Sequence, residues 1–361
     1  MTLAASFQIE YLQFLGAEGQ PVRELPPAFR DPAVLVEPFK RMLFARAFDT
    51  KAVALQRTGK LGTYPPCLGH EATHIGIGAS MRNGDVFAPS YRELGTMFER
   101  GVRPRDVLMY WGGDERGSDY PRDSDAAIDF PICVPIATQC LHAAGAALAF
   151  KLRGQAQVAV AACGDGGSSK SDFYAALNCA GAYTLPLVLA VINNGWAISV
   201  PREAQTGART LAQKGIAGGL HCLQVDGNDL VAVLESMRIA TERARSGGGG
   251  TVIEFMTYRL SDHTTADDAR RYRDQDEVKA AWALEPVARM RTWLTAQGAW
   301  SEAQEAEWKA ECERRIAIEV DAYLATPAQP VQAMFDYLYA DPPADLLAQR
   351  AAAIALEARH G

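Results

Sequence analysis

The chain has 361 residues, 48% of them hydrophobic and 22% charged, with a formal net charge of -7. That composition suits an ordinary globular protein with one large core or two moderate ones, and the acidic balance argues against a nucleic-acid binder, which needs a basic face to neutralise phosphates. No apolar run approaches the roughly 20 residues needed to cross a bilayer.

The opening MTLAASFQIEYLQF lacks a basic region followed by an apolar one, so no secretion signal is expected. Seven cysteines without a CxxC pair suit a reducing cytoplasm better than a disulfide scaffold. Residues 1–32 read as an arm lying on something larger, and Val34 to Arg57 carry apolar residues at helical spacing. Residues 101–130 show little periodicity, and within them the polar GGDERGSDYPRDSDAAID predicts a surface loop.

The middle of the chain alternates. QVAVAAC (157–163), PLVLAVI (186–192), 221–225 and 251–259 read as strands, and 169–183 and 229–246 as helices. Such alternation predicts an α/β domain over residues 33–275, its parallel sheet covered by helices on both faces. Residues 276–361 are expected to form a helical C-terminal extension. Ligands of such sheets bind beyond the carboxyl ends of the strands.

At two of those ends stand Gly164-Asp165-Gly166-Gly167 and Asn193-Asn194. A Gly-Asp-Gly by itself is a common tight turn. With an Asn pair on the tip of the next strand, however, a carboxylate and an amide oxygen reach the same sheet edge. Magnesium takes about six oxygens at roughly 2.1 Å and shares them with phosphates. Asp165, Asn194, a backbone carbonyl and two diphosphate oxygens would fill most of that shell. Gly166 and Gly167 let the backbone approach the diphosphate at a helix start, where N–H groups favour an anion.

GDGG…NNGW resembles the thiamine-diphosphate motif of the 2-oxo acid dehydrogenases, and in particular of the alpha subunits that pair with a separate beta chain. The resemblance runs from about Phe7 past residue 300. It includes RTGKLGTY (57–64), SYRELG (90–95), PIATQ (135–139), QVDGNDLVAV (224–233) and MTYRLSDHTTADDARRYR (256–273). It implies a thiamine-diphosphate-binding fold, with Tyr91 and Arg92 beside the cofactor and Arg92 on the diphosphate. It also implies Val134 and Ile136 against the aminopyrimidine, and a Mg2+ shell of Asp165, Asn194 and the Trp196 carbonyl. Thr138 and Gln139 match a potassium (K+) site of some relatives. His263 matches the histidine near the diphosphate that serves reductive acylation of the lipoyl group, a task suited to an imidazole titrating near neutrality. Tyr64 to Leu68 are expected to face the substrate.

Three positions depart from the family pattern: Lys170-Ser171 replace Gln or Glu followed by Gly, Ile192 replaces an arginine of some branched-chain relatives, and Thr264 replaces a regulatory serine of mitochondrial relatives. The resemblance implies decarboxylation of a 2-oxo acid, pyruvate first, 3-methyl-2-oxobutanoate next and acetoin last. The acyl group would pass to a lipoyl-bearing acyltransferase core. The glutamate that activates the cofactor would come from the beta subunit, in an assembly of two alpha and two beta chains. A competing signal is His70-Glu71-Ala72-Thr73-His74, an H-E-x-x-H sequence of the kind that binds zinc in metalloproteases.

Overall fold

A computed structural model describes residues 1–360. Among the described residues, eight strands occur in chain order: β1 (Glu10–Leu12), β2 (Val86–Ala88), β3 (Ala159–Gly164), β4 (Leu187–Asn193), β5 (Trp196–Ala197), β6 (Val200–Pro201), β7 (His221–Asp226) and β8 (Thr251–Met256). Six form one wholly parallel sheet in the order β1-β7-β8-β4-β3-β2, and β5 and β6 make a small antiparallel hairpin. The predicted strands correspond to β3, β4, β7 and β8.

Side chains alternate across a strand, so a strand buried on both faces is apolar throughout. Val160 and Ala162 of β3, with Val188, Ala190 and Ile192 of β4, enter one core. There they meet helices Ala33–Arg57, Glu71–Ala79, Leu230–Arg245 and Pro286–Ala296. Ala159, Ala161 and Cys163, with Leu187, Leu189 and Val191, enter the other, under helices Thr138–Leu152 and Ser171–Ala182. The expected helix-covered parallel sheet is what forms.

Part of the N-terminal arm is woven into this sheet. β1 pairs with β7 from Glu10↔Leu223 to Leu12↔Val225. Asp229 explains the docking: its Oδ2 accepts from the Phe14 and Leu15 amides at 2.6 and 2.7 Å. Its Oδ1 caps helix Leu230–Arg245 by accepting from Val231 N at 3.0 Å. Three residues are too few to carry a period, which is why the sequence pattern does not announce this strand.

The 101–130 segment also holds more order than its pattern suggests. Pro104–Trp111 is a helix with Pro at its first turn, Val107 and Leu108 buried, and the Asp106 carboxylate bonded back to Arg103 N at 3.1 Å. The turn-rich stretch after it contains short 3-10 turns at Glu115–Ser118 and Asp125–Ile128. Helix Glu302–Leu324 lies over the first helix and over Pro104–Trp111, and Ala344–His360 forms a last, mostly exposed helix. All seven cysteines are free, and among the described residues no helix is long and apolar enough to cross a membrane.

Candidate active site

The carboxyl ends of β2, β3, β4 and β8 open on one cavity of about 650 Å³. The candidates named for cofactor and metal line it: Tyr91 and Arg92 after β2, Asp165, Gly166 and Gly167 after β3, Asn194 and Trp196 after β4, and His263 after β8. Of Tyr64–Leu68, expected to face the substrate, only Pro65 does, Tyr64 and Cys67 being turned into the core, and of the Thr138–Gln139 pair only Gln139 lines the cavity. Val134 and Ile136 lie on its rim, 46% and 43% exposed, so a large part of each faces open space.

β3 and β4 are hydrogen-bonded neighbours whose last pair is Gly164↔Ile192, which brings Asp165 and Asn194 to adjacent strand tips. Asp165 is 3% exposed, and its carboxylate receives only a long side-chain hydrogen bond, from Gln205 Nε2 at 3.3 Å. Burial raises its pKa, partly offset by the Gly166 amide and Gln205. An anionic group so poorly compensated is suited to a cation. Asn194 Oδ1 accepts from Trp196 N at 3.2 Å, and the Trp196 carbonyl accepts from Arg259 Nη1 at 3.2 Å, leaving a lone pair on each oxygen. The donor set is all oxygen, the kind a hard divalent ion prefers.

The Gly-rich turn differs from expectation in one respect. Gly166–Ser169 is a 3-10 turn, and the α-helix begins only at Ser171, after an extended Lys170. The Asp165 carbonyl accepts from Ser168 N at 3.1 Å and from Ser168 Oγ at 2.7 Å, which closes the turn early. Lys214 Nζ locks it from beneath, donating to Ser168 O at 2.8 Å and to Ser168 Oγ at 2.9 Å. Glycine is required at 166: a Cβ there would stand 2.6 Å from Ala197 Cβ, so any side chain would push the two tip loops apart.

Across the cavity, His263 is held between two guanidinium groups. Its Nδ1 lies 3.1 Å from Arg92 Nη2 and 3.2 Å from Arg259 Nη1. Burial, then the charges of Arg92 and Arg259, push its pKa down to about 3, with Asp267 opposing. The expected near-neutral titration is therefore not what this arrangement produces. Asp267 Oδ2 accepts from His263 N at 2.9 Å and is also bonded by the Tyr272 hydroxyl, which orders the loop.

Arg259 escaped sequence reasoning. It is fully buried, and it donates to Ile198 O at 2.8 Å and Tyr272 Oη at 2.9 Å as well as to Trp196 O. The available signal was an arginine at the carboxyl end of a buried strand. Two non-glycine residues in the left-handed region, Ala137 (φ 70°) and Ile198 (φ 56°), also line the cavity. Backbone strain of this kind gathers at ligand sites.

His70 and His74 are fully buried, and none of their four ring nitrogens has a partner. Burial, then neighbouring positive charge, keeps both well below the usual histidine range. The zinc reading fails here. Glu71, its general base, is bound at 2.8 Å by Arg46 Nε and at 3.0 Å by Gly69 N. Among the described residues, no three His, Cys, Asp or Glu side chains gather as a metal site. His70 nonetheless borders the cavity, and its unpartnered nitrogens suit a polar ligand.

Comparison with known proteins agrees with this site. Residues 39–332 match the family described as dehydrogenase E1 component. The chain is 40% identical over 351 residues to the 3-methyl-2-oxobutanoate dehydrogenase subunit alpha of Mycobacterium tuberculosis, covering 96% of this chain and 94% of that one. It is 37% identical over 344 residues to the pyruvate dehydrogenase E1 component subunit alpha of Staphylococcus epidermidis, covering 95% and 92%. The same subunit of Staphylococcus aureus is also 37% identical over 344 residues. The chain therefore belongs to the dehydrogenase E1 component family, as an alpha-type subunit of a thiamine-diphosphate-dependent 2-oxo acid dehydrogenase.

Proposed function

We propose that this subunit holds the diphosphate end of thiamine diphosphate on Mg2+ and, with a beta chain, decarboxylates a short 2-oxo acid and passes its acyl group to a lipoyl carrier. The observation that carries the reading is the meeting of Asp165, Asn194, Arg92 and His263 in one cavity. Asp165, Asn194 and the Trp196 carbonyl would hold the ion, and Tyr91 and Arg92 would flank the diphosphate. Val134 and Ile136 would pack against the pyrimidine. When bound, the cofactor supplies the carbon nucleophile and the electron sink that decarboxylation needs.

The chain's own contribution is binding, orientation and one proton. With Nδ1 facing two guanidinium groups, neutral His263 carries its hydrogen on Nε2 and offers it there as a hydrogen-bond donor; it could transfer a proton only after taking up a second one. An anion settled between Arg92 and Arg259 would offset their charge and raise the imidazole towards the range where proton transfer is efficient. Gln139 suits a K+ site, because its Oε1 is buried without a partner while its Nε2 donates to Ala162 O at 2.7 Å.

Substrate choice lies between pyruvate and 3-methyl-2-oxobutanoate. Thr63, Pro65 and Trp111 give the cavity a largely apolar wall, compatible with either side chain. Oxidative decarboxylation rates for the two acids, measured on alpha chain reconstituted with its beta partner, decide between them. The same preparation tests the larger claim. We expect two alpha and two beta chains, activity only in the complex, and a dependence on thiamine diphosphate and Mg2+; decarboxylation by the alpha chain alone would overturn it.

A further inference from the structure

Helix Ala33–Arg57 buries Ala45, Phe48, Ala52 and Leu55, and the buried stripe contains one acid, Asp49, which is 4% exposed. A carboxylate so placed persists only where hydrogen bonds satisfy it. One oxygen carries both of its bonds: Oδ1 accepts from the Tyr64 hydroxyl at 2.8 Å and from the Cys67 amide at 2.8 Å. Burial pushes the carboxyl up to about 6, and the bonds from Cys67 and Tyr64 oppose that push.

The two donors belong to the loop that walls the cavity. Tyr64 and Cys67 are fully buried, while their neighbours Thr63 and Pro65 line the cavity. The Pro66 carbonyl accepts from Arg92 Nη1 at 2.5 Å. On the other side, Tyr64 N donates to Thr265 Oγ1 at 3.0 Å, and Tyr64 O accepts from Thr265 N at 2.8 Å, two residues beyond His263. Asp49 thus lies one hydrogen bond behind a loop that touches Arg92, the His263 segment and the cavity at once. Two successive prolines, Pro65 and Pro66, offer no N–H of their own, so on the helix side the loop is fixed through the Tyr64 hydroxyl and the Cys67 amide, both of which donate to Asp49.

We propose that Asp49 is a positioning residue for the reaction: by tying down Tyr64 and Cys67 it sets the Thr63–Pro65 wall and the carbonyl on which the Arg92 guanidinium rests. This rests on the reading of Arg92 as a diphosphate contact. Asp49 touches neither cofactor nor substrate, and acts through Arg92 and the wall.

The test uses the reconstituted alpha–beta enzyme, with the Kd for thiamine diphosphate in Mg2+ read by calorimetry and KM and kcat read for the 2-oxo acid. Asp49→Asn keeps an oxygen acceptor at Oδ1 and should stay within about threefold of wild type in Kd and KM. Asp49→Ala leaves two buried donors unpaired and should raise both by about tenfold, with kcat changing less. Combined with Arg92→Ala, it should add less than about threefold to the Kd, because the two act in series. If Asp49→Ala does not fold, Tyr64→Phe removes one of the two bonds at nearly constant volume and takes its place in the cycle. An undiminished effect in the double variant, or wild-type Kd and KM in Asp49→Ala, overturns the proposal. Wild-type enzyme that binds no thiamine diphosphate would instead sink the functional reading beneath it.

Discussion

Arg92 Nη2 donates to two atoms of His263, its carbonyl oxygen at 3.0 Å and its Nδ1 at 3.1 Å. A guanidinium has no acceptor, so Nδ1 carries no proton and the tautomer is fixed as Nε2–H. With the pKa down to about 3, His263 of the cofactor-free chain should stay neutral across the physiological range. In 15N-histidine NMR spectra, with His263→Asn for assignment, we expect an Nε2–H tautomer that does not titrate between about pH 5 and 8. Adding thiamine diphosphate and Mg2+ should move the titration upward. A cofactor-free imidazole titrating near its ordinary 6.5 would contradict the clamp.

Asp165 has the opposite problem, a buried charge with too little to neutralise it. Asp165→Asn keeps the shape and removes the charge. In the reconstituted enzyme it should weaken Mg2+-dependent cofactor binding by about 100-fold or more, since even outer partners of metal ligands contribute about 10- to 100-fold. The free chain should melt at an unchanged or higher temperature, because the variant no longer buries an undercompensated carboxylate. A variant that melts well below wild type, or that binds cofactor normally, would show that Asp165 is structural.

Much of this site was legible because it lies where backbone pattern is loudest. β3 and β4 are six- and seven-residue apolar runs that end in Gly-Asp-Gly-Gly and Asn-Asn, so the tips and their chemistry follow from one reading. What the sequence withheld was set by tertiary contacts without local period. β1 is ordered by Asp229, more than two hundred residues away, and the electrostatics of His263 depend on Arg92, 171 residues away. Asp49 left a faint mark, an acid inside an apolar stripe, but its partners come from a different segment. The H-E-x-x-H of residues 70–74 shows the reverse hazard. The spacing is right, yet Arg46 holds the glutamate elsewhere.

Three neutral histidines, two fully buried and one half-buried, give the chain a defined acid sensitivity. His70, His74 and His263 all have pKa values below the ordinary 6.5, and those of His74 and His263 are near 3. Below 6.5 the unfolded chain takes up protons that the folded chain refuses, so these groups cost stability as pH falls towards 3. Asp49 and Asp229 act in the other direction between about 6 and their ordinary 3.8, since each binds a proton more readily when folded. The comparison with a variant isolates the histidine part. His74→Phe, which replaces one unpartnered ring by an apolar one, should flatten the fall in unfolding free energy between pH 6.5 and 4, measured by urea titration at each pH. Parallel curves for variant and wild type would show that His74 is not held neutral.

The cavity rim suggests where the beta chain sits. Ile198 is 57% exposed, Val134 46% and Ile136 43%, an apolar edge beside an opening that the functional reading requires a partner to close. Ile198 also holds φ 56°, a conformation a β-branched residue adopts only under strain. Ile198→Glu should leave the isolated chain as stable as before, because the side chain is exposed, yet raise the Kd for the beta chain about tenfold or more in sedimentation experiments. Ile198→Gly separates the two effects. It relieves the backbone, so the free chain should gain up to about 1 kcal/mol, while the lost apolar contact should still weaken assembly. Wild-type affinity for the beta chain in Ile198→Glu would move the interface away from this rim, and with it the expectation that the cavity is completed by a second subunit at that edge.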